Sequence, residues 1–126
     1  MNTTVVTKQG AVAGVLSQDS RTVIFRGVPY AQPPVGKLRF RRPQPHTPWE
    51  GVLDCKKFGP RCPQADLASM DFYGKEFYDE MVPPESEDCL YLNIWTPASV
   101  APGDNLPVLF WIHGGAFMHG CGTEKE

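Results

Sequence analysis

Apolar and polar positions alternate along this chain in short runs, broken by proline and glycine. The sharpest run is at 108–112, Val-Leu-Phe-Trp-Ile. Both faces of that run are apolar, which predicts a strand covered on both sides, as in a parallel sheet. It breaks abruptly into His113, Gly114, Gly115 and Ala116. Glycines at the end of a buried strand permit backbone conformations that a Cβ resists. They also leave main-chain N–H groups uncovered by side chains. A turn of small residues presenting free N–H groups can hold a developing negative oxygen.

Upstream, residues 3–7 and 11–16 are rich in β-formers and are separated by Lys8, Gln9 and Gly10, which predicts a hairpin. Residues 21–26 read as a third strand after the turn at 17–20, giving a small antiparallel sheet. Prolines at 29, 33 and 34, and the Pro-rich stretch that continues to Trp49, predict ordered irregular chain over 25–49. Residues 90–95 read as a further strand, and 98–106 as a Pro/Gly/Asp loop. Between Cys62 and Cys89 the aromatics at 72, 73, 77 and 78 recur near helical spacing, and Gly74 interrupts them. That predicts a long loop with one helical turn, its aromatics forming local core or lining a pocket.

Composition narrows the picture. The length of 126 residues suits one domain, and 41% apolar with 21% charged residues is ordinary for a globular protein. The net charge of −2 gives no reason to expect nucleic acid or an anionic membrane as partner. Arg39, Arg41 and Arg42 therefore read as solvated or ion-paired side chains rather than a binding patch. The longest apolar run is too short to span a bilayer, and the N-terminus shows no apolar leader, so a cytoplasmic location is expected, or a secreted one if a leader was removed before residue 1. Thirteen prolines and twelve glycines imply short segments joined by rigid turns, with little helix. Cys55, Cys62, Cys89 and Cys121 match no metal spacing, no cofactor is implied, and reduced thiols are expected.

Three motifs stand in order: FRGVPYAQPPVG at 25–36, EDCLYLNIW at 87–95 and HGGAF at 113–117. With them the chain resembles the type B carboxylesterases, the carboxylesterase/cholinesterase family of α/β-hydrolases, with the bacterial para-nitrobenzyl esterase branch nearest. The resemblance runs from about Val5 to Gly122. It implies an α/β fold in which a small antiparallel N-terminal sheet leads into a central, mostly parallel sheet. It implies a serine hydrolase acting on small-molecule carboxylic esters, with an oxyanion hole from the N–H groups of Gly115 and Ala116 and with Gly114 supplying turn geometry. His113 then braces the turn rather than acting as base. His46 reads as solvent-facing, and His119 as solvent-facing or at the mouth of the pocket.

The family's nucleophile sits in a G-x-S-x-G elbow, which this chain lacks; its serines at 17, 20, 69, 86 and 99 have no such context. Residues 1–126 therefore resemble the N-terminal segment of a single catalytic domain, incomplete without downstream polypeptide, whether that continues the chain or joins it as a second chain. The resemblance also implies two structural pairs: a possible Cys62–Cys89 disulfide and a partly buried, bidentate Arg39–Glu87 salt bridge. Cys55 and Cys121 have no evident partner. The cholinesterases carry a tryptophan for quaternary ammonium in the Cys62–Cys89 loop. This loop has none, which disfavours choline esters, although Tyr78 offers a partial substitute through cation–π attraction. The competing readings are a non-catalytic adhesion protein of the same fold and a gene fragment with no function of its own.

Overall fold

In the computed structural model of the chain, residues 2–65 and 83–123 are described. The loop aromatics at 72, 73, 77 and 78, and with them the expected helical turn, lie outside the described residues.

Six short strands form two three-stranded sheets. In the first, β1 (Thr4–Val6) pairs antiparallel with β2 (Ala11–Ala13), and β2 pairs parallel with β5 (Val52–Asp54). In the second, β4 (Thr22–Pro29) lies between β3 (Val15–Leu16) and β6 (Tyr91–Pro97), antiparallel to both. A single 3-10 turn, Gly36–Leu38, is the helix found among the described residues.

The hairpin forms where residues 3–16 predict it, but Gly14 divides its second limb. Residues 11–13 stay with β1, while 15–16 leave for the other sheet. A Cβ at Gly14 would stand 2.5 Å from the Ile24 carbonyl oxygen, so the two sheets approach closely at the division. Strand β4 runs further than predicted, through Pro29, because a bulge between Phe25 and Val28 re-aims the chain. The Gly27 N–H freed by that bulge donates to Asn93 Oδ1 at 2.9 Å.

The core is small. Val12, Val23, Phe25 and Cys55 are buried, with Leu16, Val28, Trp49, Leu53 and Ala98 packed against them. Cys55 stitches the sheets together. Its N–H donates to the Ala13 carbonyl at 2.8 Å, and its own carbonyl accepts from the Arg26 N–H at 2.7 Å. Trp49 fastens the Pro-rich segment to the hairpin, donating from Nε1 to the Ala11 carbonyl and from its backbone N–H to the Gln9 carbonyl. Burial pushes the Cys55 thiol above its ordinary pKa, as does the charge of Asp54. That thiol is a packing element, not a nucleophile. Cys55→Ser should cost about 1–3 kcal/mol, the usual penalty for a buried hydroxyl without a partner. A lowered urea midpoint would register it, and the native thiol should resist alkylation until the chain unfolds.

The run 108–112 departs from expectation. It belongs to no strand, and its side chains are 75–94% exposed. A strand apolar on both faces needs a neighbour at each edge and a covering layer on each side. Among the described residues, the six strands are spent on one another, and no second layer covers 108–112.

Candidate active site

The turn predicted to bind an oxyanion closes on itself. The Gly115 carbonyl accepts from the Met118 N–H at 2.9 Å and from the His119 N–H at 3.2 Å. Gly115 has φ +110°, and a Cβ built there would run into the His119 carbonyl oxygen, so the position admits glycine alone. Ala116 and Phe117 follow at φ +53° and +60°, both left-handed. Each non-glycine residue in that region costs roughly 1–2 kcal/mol. Two in succession persist only where surrounding contacts over-determine them, a pattern that concentrates at functional sites. The backbone N–H groups of Gly115 and Ala116 donate to no acceptor among the described residues. They are outside any sheet ladder. Gly114 has open space around its Cβ position. His113 Nδ1 lies 2.8 Å from the Gly114 carbonyl oxygen, which can only accept, so Nδ1 carries the proton. His113 is exposed, with no hydroxyl of a serine beside it among the described residues.

Two side-chain amides tie this turn to the rest of the chain, and neither stood out in the sequence. Gln64 Oε1 accepts from the Gly120 N–H at 2.6 Å, and Gln64 Nε2 donates to the Gly120 carbonyl at 3.1 Å. Asn93 Nδ2 donates to the Gly122 carbonyl at 3.3 Å, while its Oδ1 takes the Gly27 N–H. For Asn93 a signal existed: an asparagine inside an apolar strand is disfavoured unless its amide has partners. Gln64, in a loop beside Cys62 and Pro63, carries no comparable mark.

The neck of the Cys62–Cys89 loop gathers the remaining candidates. The two sulfurs are 2.9 Å apart, with Cys62 Sγ donating to Cys89 Sγ. Arg39 Nη2 lies 2.7 Å from Glu87 Oε1, but both side chains are about half exposed and a single contact joins them. The expected partly buried, bidentate pair is thus a surface ion pair, worth about 0–1 kcal/mol. A better-shielded pair was missed. Arg61 Nη2 meets Glu85 Oε1 at 2.9 Å, with Arg61 18% exposed. The same two residues form a parallel bridge, flanked by bonds from the Arg61 N–H to the Pro84 carbonyl and from the Ser86 N–H to the Arg61 carbonyl. Cys121 lies next to the turn, its sulfur 3.1 Å from Thr123 Oγ1. A separate cleft of about 320 Å³ opens between Pro29, Trp49, Asp88 and Tyr91, and no residue of the turn lines it.

Burial raises the Cys89 thiol from its ordinary 9.0 to about 12, helped by the Cys62 hydrogen bond and by the charges of Cys62, Asp88 and Glu87. Burial likewise raises the Tyr91 phenol from 10.0 to about 12, helped by a hydrogen bond and charge from Asp88 and by charge from Cys89. Both groups hold their proton more tightly folded than unfolded. Their stabilisation is therefore complete below about pH 9 and is lost as pH climbs through 12. Under reducing conditions the urea midpoint should fall between pH 9 and 12, and combining Cys89→Ala with Tyr91→Phe should flatten that fall.

The turn at 113–120 thus follows two small three-stranded sheets, and the Gln64 and Asn93 amides tie it and the residues after it back to the chain. The carboxylesterase family matches residues 1–125, and the chain belongs to that family. It is 46% identical over 121 residues to the para-nitrobenzyl esterase of Bacillus subtilis (strain 168), covering 95% of this chain and 22% of that protein. It is 41% identical over 131 residues to carboxylesterase 3 of Homo sapiens, covering 100% of this chain and 22% of that protein. Among solved structures, a thermophilic PNB esterase superposes with a TM-score of 0.82 at 45% identity, covering 98% of this chain and 24% of that one. These neighbours are carboxylesterases with an α/β-hydrolase fold. The chain spans about a fifth of the length of the curated relatives it matches.

Proposed function

We propose that this chain supplies the oxyanion-binding turn, and the β-layer that carries it, of a serine carboxylesterase. The observation that carries this reading is the pair of amides at Gly115 and Ala116 that donate to nothing among the described residues, in a turn where Gly115 admits glycine alone. In the reaction, a serine hydroxyl attacks the ester carbonyl carbon, and the carbonyl oxygen takes up the electron pair. The two N–H groups stabilise that charge. Collapse of the adduct expels the alcohol, leaving an acyl-enzyme that water hydrolyses. Each such donor is worth about 10²–10³ in kcat. The serine, its base and the acid that orients the base come from polypeptide outside these residues, as a continuation of the chain or a second chain. The substrate is a small carboxylic ester.

The test is para-nitrophenyl ester turnover, and labelling by a fluorophosphonate, in the protein that unites this chain with the nucleophile elbow. Turnover with labelling of one serine supports the reading. A folded, united protein that shows neither is the adhesion-type relative instead.

A further inference from the structure

The turn at 113–120 is built from backbone conformations that do not hold themselves. Ala116 and Phe117 are left-handed, and Gly120 sits at φ +109° with the Gly114 carbonyl oxygen and His113 Nδ1 pressed against the place a Cβ would take. Inside the turn, the bonds to the Gly115 carbonyl come from Met118 and His119 and reach no further. Its second half ends at Gly120, and there the Gln64 amide grips both the N–H and the C=O of one residue. Those two bonds imitate a rung of an antiparallel ladder, made by a side chain from 56 residues away. The same Nε2 also donates to the Cys62 carbonyl at 3.0 Å, which anchors Gln64 to the loop neck.

We infer that Gln64 is a positioning residue for the oxyanion hole: by clamping Gly120 it holds the 113–120 turn in the one conformation that leaves the Gly115 and Ala116 amides free for substrate. The inference rests on the esterase reading and extends it to a residue outside the turn. Gln64 touches neither substrate nor the reacting atoms. It acts through Gly120, then His119, then the Gly115 carbonyl. Loosening that path misplaces donors that must meet a charge present only in the transition state. It should lower kcat while leaving KM nearly unchanged.

In the united esterase, Gln64→Ala should reduce kcat for para-nitrophenyl butyrate by about tenfold to a hundredfold, with KM within about twofold. Affinity for a trifluoromethyl ketone, which forms the tetrahedral adduct, should fall by the same factor. The Gly120 amide should exchange with solvent faster than in the parent protein. Gln64→Glu provides a nearly isosteric control. Its carboxylate still accepts from the Gly120 N–H but faces the Gly120 carbonyl with no proton. Protonation restores the donor, so the ratio of its kcat to the parent's should rise as pH falls. A purely structural loss would show no such recovery. Gln64→Ala with parental kcat and parental ketone affinity, in a protein that hydrolyses esters, overturns the inference. Failure of the esterase reading has a different signature: the parent protein folds and protects the Gly120 amide yet turns over no ester, and the positioning role falls with it.

Discussion

Gly115→Ala should remove about 99% of ester turnover in the united protein while Gly103→Ala leaves it intact. Both glycines are left-handed, at φ +110° and +97°, so both substitutions impose the same kind of backbone strain. They differ in what the new methyl meets. At Gly103 there is nothing within 4 Å. At Gly115 the methyl overlaps the His119 carbonyl oxygen, a main-chain atom that cannot rotate aside. The turn must open to admit it, and opening swings the Gly115 and Ala116 amides off the position of the oxyanion. Loss of one such donor corresponds to about 10²–10³ in kcat. KM should change little, because the donors engage charge that the ground-state ester lacks. Gly103→Ala should register only as a loss of stability of about 1–2 kcal/mol. Steady-state kinetics with a para-nitrophenyl ester, alongside thermal unfolding of both variants, separates the two effects. Equal kcat in the two variants would mean that the turn is not the oxyanion site.

The parts of this chain that were legible in sequence are those whose signal is local. Lys8-Gln9-Gly10 between two β-rich runs specifies a hairpin, and β1 and β2 form it. The glycine pair after the apolar run specifies a turn, and the positive φ at Gly115 shows why glycine stands there. What stayed hidden depends on contacts far apart along the chain. β5 is three residues long and pairs parallel with β2, a partner some forty positions earlier. No periodicity in three residues announces that. Its place is set by Cys55, whose two backbone bonds reach opposite sheets. The departure of residues 15–16 for the second sheet follows from the close approach at Gly14, which alternation alone does not encode. Gln64 and Asn93 act through single amides across 56 and 29 residues. The family motifs drew attention to charged and thiol pairs at the loop neck. The geometry gives the tether of the turn to neutral amides instead, whose hydrogen bonds need no favourable charge partner and do not weaken with salt.

The second large effect concerns the run at 108–112, where the sequence states a need that the described residues do not meet. Its five side chains are 88%, 94%, 75%, 80% and 76% exposed. Covering a side chain of this size is worth about 1.5–3 kcal/mol, so the full run carries on the order of 10 kcal/mol of unused burial. The backbone donors and acceptors of this run pair with nothing among the described residues, which adds a template for strand pairing. The 126-residue chain on its own should therefore associate with itself, detected as large, ANS-binding species in sedimentation. Leu109 and Trp111 alternate onto one face of an extended strand. Replacing both by lysine should render the chain monodisperse, because a desolvated ammonium is costly in any apolar interface. The same double substitution should abolish ester hydrolysis when the chain is combined with polypeptide bearing the nucleophile elbow, since one face of the strand could no longer be packed. The turn at 113–120 would keep its internal bonds in that variant, and Gln64 its grip on Gly120, so activity would be lost through assembly and not through the oxyanion hole. A parent chain that stays monodisperse and binds no ANS would show that the run is covered within these 126 residues, and the need for a further sheet strand at its edge would disappear.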